Sequence, residues 1–95
     1  MNYSKAAKRL KVQIGDTEKT LKGRPAWLLE KLVAAGHAGI STIDLPPGVR
    51  TSHYVLQLRR AMIPVETRFE NHAGEFAGRH ARYTLSAPVQ ILEAA

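Results

Sequence analysis

The sequence contains no cysteine. That excludes disulfide staples and thiolate metal sites, so whatever core the chain builds must hold without them. Aromatic residues make up only 6% of the chain against 44% hydrophobic overall, enough for one modest core. No apolar run approaches the roughly 20 residues that span a bilayer. The basic N-terminus also lacks the apolar stretch of a secretion signal, and together these absences point to a cytoplasmic protein with no membrane partner. With 95 residues there is room for one domain. A domain of this size buries only about 60% of its unfolded surface, which argues against a large enclosed active site.

The motifs of catalysis are missing as well. There is no nucleophile elbow, no phosphate-cradling glycine loop and no pair of carboxylates forced together. The four histidines lack the tight spacing of a zinc site, with His72 and His80 lying eight residues apart across a glycine-containing loop. The expectation is a protein that is not an enzyme, with no cofactor, no metal and no small-molecule substrate.

What the chain does have is positive charge, a net +6, unevenly placed. Residues 1 to 24 carry Lys5, Lys8, Arg9, Lys11, Lys19, Lys22 and Arg24 against Asp16 and Glu18, whereas residues 25 to 95 carry seven basic and six acidic side chains. The sequence thus divides into a basic, flexible N-terminal arm over residues 1 to 23, a nearly neutral domain over 24 to 86 and a tail over 87 to 95. A basic arm on such a domain fits a polyanionic partner, or simply keeps the protein soluble. Within the arm, Lys11 to Ile14 alternates like a short strand and Ser4 to Leu10 reads equally as a frayed helical turn.

From Pro25, tolerated in the first turn of a helix, the run Ala26 to Ala35 predicts a helix that Gly36 stops. Leu28, Leu32 and Ala35, widened by Leu29 and Val33, give it an apolar stripe. Ile40 reads as an extended link, and Ser41 and Thr42 as caps for one or two helical turns that Pro46, Pro47 and Gly48 end. A third helix is predicted from Thr51 or Ser52 to about Met62. At 100° per residue, Thr51, Val55, Leu58 and Met62 face the core, flanked by Tyr54 and Ala61. The opposite side shows Ser52, His53, Leu56, Gln57 and Arg60, with Arg59 at the margin. No acid occurs from Val49 to Met62.

After Pro64 the period changes to two. Ile63, Val65, Thr67 and Phe69 alternate inward, Asn71 to Gly78 reads as a loop, and Ala81, Tyr83 and Leu85 return inward. Pairing Phe69 with Arg79 and Val65 with Tyr83 places both inward sets on one face. The same register sets Glu66 across from Arg82 and Arg68 across from His80. Tyr83 and Trp27 read as core aromatics, and Arg82 as a structural residue neutralised by Glu66.

Gln57-Leu58-Arg59-Arg60, Ile63-Pro64-Val65-Glu66-Thr67 and Gly78-Arg79-His80-Ala81-Arg82-Tyr83, in this order after two helices, resemble the small winged-helix family found in phage and phage-derived bacterial genes. The resemblance spans residues 25 to 85, and departs from the family at Ala61-Met62-Ile63, apolar where a glycine or polar turn is usual. It implies an α+β winged helix-turn-helix fold, three helices followed by a two-stranded β-hairpin wing. It also implies binding of double-stranded DNA, the third helix in a major groove and the wing on an adjacent backbone or minor groove.

The residue chemistry agrees. Gln57 and Arg60 carry the forks that suit adenine and guanine edges, with Leu56 and His53 beside them on the base-facing side. Arg50, Ser52 and Arg59 are placed for phosphates near the helix, Arg68, Arg79 and His80 for a second phosphate row, and Lys5, Lys8, Arg9 and Lys11 for contacts from the arm. A transcriptional regulator or a mobile-element accessory factor, nucleoid-associated, fits these features. Two alternatives stand beside it: a protein-interaction module using the face around Leu56, and an architectural, DNA-bending excision factor. One winged helix covers little DNA, so a dimer or adjacent copies are expected, with Val89, Ile91 and Leu92 either supplying that contact or capping the core.

Overall fold

The computed structural model describes residues 9–45, 49–73 and 78–95, His72 by its backbone alone. In chain order these form β1 (Arg9–Ile14), β2 (Thr17–Lys22), α1 (Gly23–Ala35), β3 (Ile40–Ser41), α2 (Thr51–Arg60), β4 (Val65–His72), β5 (Gly78–Leu85) and β6 (Gln90–Ala94). Single 3-10 turns occupy Gly36–Ala38 and Thr42–Asp44. The strands make two antiparallel sheets, one ordered β2-β1-β6 and the other β3-β5-β4.

The first sheet corrects the arm and the tail. From Arg9 to Lys22 the expected arm is a hairpin, and from Gln90 the expected tail is the strand that pairs with it, Val12 facing Ile91. Leu10 and Val12 are wholly buried, so alternation with Arg9, Lys11 and Gln13 turns one face of β1 into the core. Gly15 and Asp16 are the two-residue connection, with Ile14 across from Thr17. Gly15 has φ +58, which glycine adopts without steric cost and which tight hairpin turns require. Val89 and Ile91 pack against the core.

Helix α1 begins at Gly23, two residues before Pro25, and buries Ala26, Leu28, Leu29 and Leu32. Gly36, at φ +60, ends it, its N–H donating to the Leu32 carbonyl. The expected second helix is only the turn Thr42–Asp44, capped by Ser41, whose Oγ accepts from the Ile43 N–H at 3.3 Å. Among the described residues there are therefore two α-helices, where three were expected. Ser41 is already committed to β3, paired with Arg82, and this leaves too few residues before the prolines for a helix to propagate. Just upstream, a Cβ on Gly39 (φ +68) would meet the Tyr83 carbonyl and Thr84 Cγ2 at 2.5 Å, so glycine is needed for β3 to reach β5.

Helix α2 buries Thr51, Tyr54, Val55 and Leu58. Its end explains a second correction. Met62, expected on the core side, has φ 67 and is 74% exposed. Its N–H donates to the Arg59 carbonyl at 2.9 Å while the Ile63 N–H donates to the Leu58 carbonyl at 2.9 Å, the paired bonds of a Schellman cap. The left-handed residue turns Met62 outward and brings Ile63, buried, back beside Leu58. A methionine thus stands where glycine is usual.

The β4–β5 register is two residues from the one expected: Phe69 faces Ala81, Thr67 faces Tyr83 and Val65 faces Leu85. Both strands run further toward the loop, to His72 and from Gly78. A slip of two preserves the inward face but changes every cross-strand partner. Glu66 now faces Thr84, Arg68 faces Arg82 and Glu70 faces His80. Phe69, expected inward, is 60% exposed because the ribbon extends past the end of the core. The wing sheet has a third strand, β3, on the far side of β5. Of the expected core aromatics, Tyr83 is buried, and Trp27 is half-buried with Lys31 Nζ 5.1 Å from its ring centroid.

Candidate nucleic-acid interface

The buried set of α2, Thr51, Tyr54, Val55 and Leu58, repeats at i, i+3, i+4 and i+7 and seats the helix against α1 and the start of β4. His53, Leu56, Gln57 and Arg60 repeat at the same spacing two residues on, and so form a stripe on another side of the cylinder. Gln57 and Arg60 are exposed, Leu56 is 43% exposed and His53 is half-buried. His53 lies with its ring 5.8 Å from that of Tyr54. The stripe offers an amide, a guanidinium, an imidazole and an aliphatic patch, with no carboxylate on the helix. Arg50 and Ser52 are exposed at its start, and the Arg50 carbonyl accepts from the N–H groups of His53 (3.1 Å) and Tyr54 (3.2 Å). Arg59 and Arg60 in the last turn favour the negative end of the helix dipole.

Arg59 is engaged within the protein. Its Nε and Nη2 donate to the Val65 carbonyl at 3.0 and 2.9 Å, and Nη2 also donates to Thr67 Oγ1 at 2.7 Å. These bonds tie the end of α2 to the first residues of β4 and fix the angle between helix and ribbon.

On the ribbon, Glu70 gathers three basic groups. Arg82 Nε donates to its Oε2 at 2.8 Å, His80 Nε2 lies 3.1 Å from Oε1, and Arg68 Nη2 lies 3.6 Å from Oε2. The Arg82 hydrogen bond, helped by His80 and by the charges of Arg82 and Arg68, holds the Glu70 carboxyl below its ordinary range despite an opposing desolvation. Arg82 also donates through Nη1 to the Ala38 carbonyl at 2.8 Å, clamping the turn after α1 to β5. Neutralisation of Arg82 is as expected, but the acid is Glu70 and not Glu66, a direct result of the register. His80, expected at phosphate, has a side chain only 9% exposed and turned to Glu70. Arg68 keeps most of its side chain in solvent, and Arg79 is exposed with its guanidinium 4.9 Å over the Phe69 ring.

The structure therefore places Ser52, Leu56, Gln57, Arg60, Arg50, Arg68 and Arg79 on the surface and leaves Arg59 and His80 in internal contacts. Lys5 and Lys8 lie outside the described residues. Arg9 is exposed on β1, and Lys11 Nζ pairs with Glu18 Oε1 at 3.4 Å. Sequence reasoning missed Arg24, whose Nη1 donates to the Tyr54 hydroxyl at 3.2 Å and links the start of α1 to α2. No local pattern marks that bond. No group of three or more His, Asp or Glu that would hold a metal occurs among the described residues, and no helix among them is long and apolar enough to cross a membrane.

A family model described as a winged helix domain matches residues 18–95. No match was found among the curated proteins or among the solved structures.

Proposed function

The chain belongs to the winged helix domain family, and from that premise we propose that it binds double-stranded DNA with a sequence preference, α2 lying in the major groove. The observation that carries this reading is an acid-free stripe in which Leu56, Gln57 and Arg60 are exposed beside a half-buried His53. A groove about 12 Å wide admits the helix, Arg60 suits guanine O6 and N7, Gln57 suits adenine N6 and N7, and Leu56 suits a thymine methyl. Arg50 and Ser52 face phosphates at the start of the helix, and Arg68 and Arg79 on the ribbon reach a neighbouring phosphate row. Arg59 acts as a positioning residue that sets helix and ribbon at a fixed angle, and His80 helps brace the ribbon through Glu70.

Winged helix domains are typically non-enzymatic, and a small transcriptional regulator or mobile-element accessory factor acting on the nucleoid fits the reading. A single module buries about 600–1,000 Å², so two copies on adjacent half-sites are the expected working form.

The test is selection of bound sites from a random duplex pool, followed by an anisotropy titration against salt. An enriched motif and a slope of log K against log salt near −5, for about six phosphates, supports the proposal. No enrichment together with a flat slope overturns it. The exposure of Leu56 favours one rival, docking on another protein. In that case Leu56→Asp alone removes function while Gln57→Ala with Arg60→Ala does not.

A further inference from the structure

The β1–β2 hairpin is polarised. Asp16 and Glu18 lie at its turn, and Arg9 and Lys22 lie directly across from each other at its open end. The two ends are five residue steps apart, about 17 Å at strand spacing, roughly twice the screening length of about 8 Å at physiological salt. The turn acids therefore do little for the bases at the other end. Like charges facing each other on paired strands are destabilising, and no acidic side chain on a neighbouring element bonds to either member of this pair. On β6, Ala94 and Ala95 lie beside Arg9, and Glu93 faces Lys11 instead. Lys11 is further neutralised by Glu18. The first turn of α1 holds no acid and adds Arg24, and α2 has none. Among the described residues, no acidic side chain pairs with Arg9, Lys22 or Arg24, and all three are exposed.

Arg24 donates to the hydroxyl of Tyr54, a residue next to His53 on α2, so this basic surface continues toward the stripe proposed to enter the groove. We infer that Arg9, Lys22 and Arg24 form a second phosphate-contacting surface, held on a sheet, that engages the duplex backbone beside the groove occupied by α2. The inference rests on the DNA-binding reading and extends the footprint beyond α2 and the ribbon to a second sheet. From Arg9 onward the contact is a paired strand edge that needs no ordering on binding. The Arg9–Lys22 repulsion persists in the free protein and is relieved when a polyanion docks.

Salt titrations on the full chain test it. Arg9→Gln, Lys22→Gln and Arg24→Gln combined are expected to reduce the magnitude of the slope by about 2.7, near 0.9 per phosphate contact, while the selected motif stays the same. Lys31→Gln, removing an exposed base that lies over Trp27 on α1 and belongs to neither surface, is expected to leave the slope unchanged. Lys22→Glu provides an independent arm: it sets an acid across from Arg9, so the melting temperature is expected to rise while DNA affinity falls about tenfold at moderate salt.

A combined variant with the wild-type slope, or a Lys22→Glu variant that is stabilised yet binds DNA as well as wild type, overturns the inference while leaving the α2 reading intact. A flat slope in the wild-type protein overturns both.

Discussion

On α2, Gln57 and Arg60 point outward from a helix that carries no acid, whereas on the β4–β5 ribbon three basic side chains converge on Glu70. Both regions read as basic in the sequence. Their charge is deployed differently: the helix leaves Arg60 exposed while Arg59 ties it to β4, and the ribbon uses Arg82 and His80 to brace itself. The number of Lys and Arg on an element thus overstates the charge it can offer, and the quantity that matters is what remains after internal acids have been satisfied. Arg68 and Arg79 are that remainder on the ribbon.

The largest expected effect breaks the helix side of the contrast. Gln57→Ala with Arg60→Ala removes two base-edge forks worth about 1–3 kcal/mol each, so affinity for the selected site should drop by about a hundredfold or more while affinity for unrelated duplex changes little. Competition titrations with selected and scrambled duplexes check this, and equal losses on both would mean that the helix reads no bases. Next in size is Arg59→Ala. Removing a charged donor from the Val65 carbonyl and Thr67 should lower unfolding stability by about 1–2 kcal/mol in a urea titration, with a much smaller change in salt slope than Arg50→Ala produces.

The ribbon network supplies a third test through pH. The Glu70 carboxyl titrates below its ordinary value of 4.5 in the folded chain, mainly because Arg82 donates to it. Its contribution to stability is therefore complete above the unfolded-state value and is lost as pH falls through the lower, folded one. Amide exchange on β4 and β5 should accelerate below about pH 4.5 in the wild-type protein, and Glu70→Gln should flatten that dependence. The same variant frees Arg82 from its acid, so its salt slope should steepen by about one phosphate. Smallest of all, Phe69→Ala should leave stability within about 0.5 kcal/mol of wild type, because the ring is largely outside the core. A larger loss would place it in the packing after all.

Much of the helical architecture is legible in the sequence because it is punctuated there: Gly36 stops α1, the prolines at 46 and 47 precede α2, and the change of period after Pro64 marks the ribbon. The first sheet is harder to read. Its strands place only a few apolar residues each, and β1 gains burial from β6, almost eighty residues away in sequence, a pairing that no local pattern encodes. A signal was nonetheless present in Ile14-Gly15-Asp16-Thr17, a two-residue glycine turn between alternating stretches. The ribbon shows a different limit. Period two specifies which face a side chain takes but not how far one strand has slid along the other, and a two-residue slide decides whether Arg82 meets Glu66 or Glu70. For the candidate site, exposure of Gln57 and Arg60 follows from helical projection, whereas the internal bonds of Arg59 and Arg24 depend on elements meeting in space.

The antiparallel clasp between β1 and β6, sealed by reciprocal bonds between Arg9 and Ala95 at 3.0 and 2.8 Å, has a bearing on how the molecule comes apart. Chain ends ordinarily fray first and independently. Here β1 lies between β2 and β6, and β6 has only β1 beside it among the described strands. Opening of β1 therefore releases β6 outright, while removing residues 90–95 should loosen Leu10 and Val12 by taking away one of their two neighbouring strands.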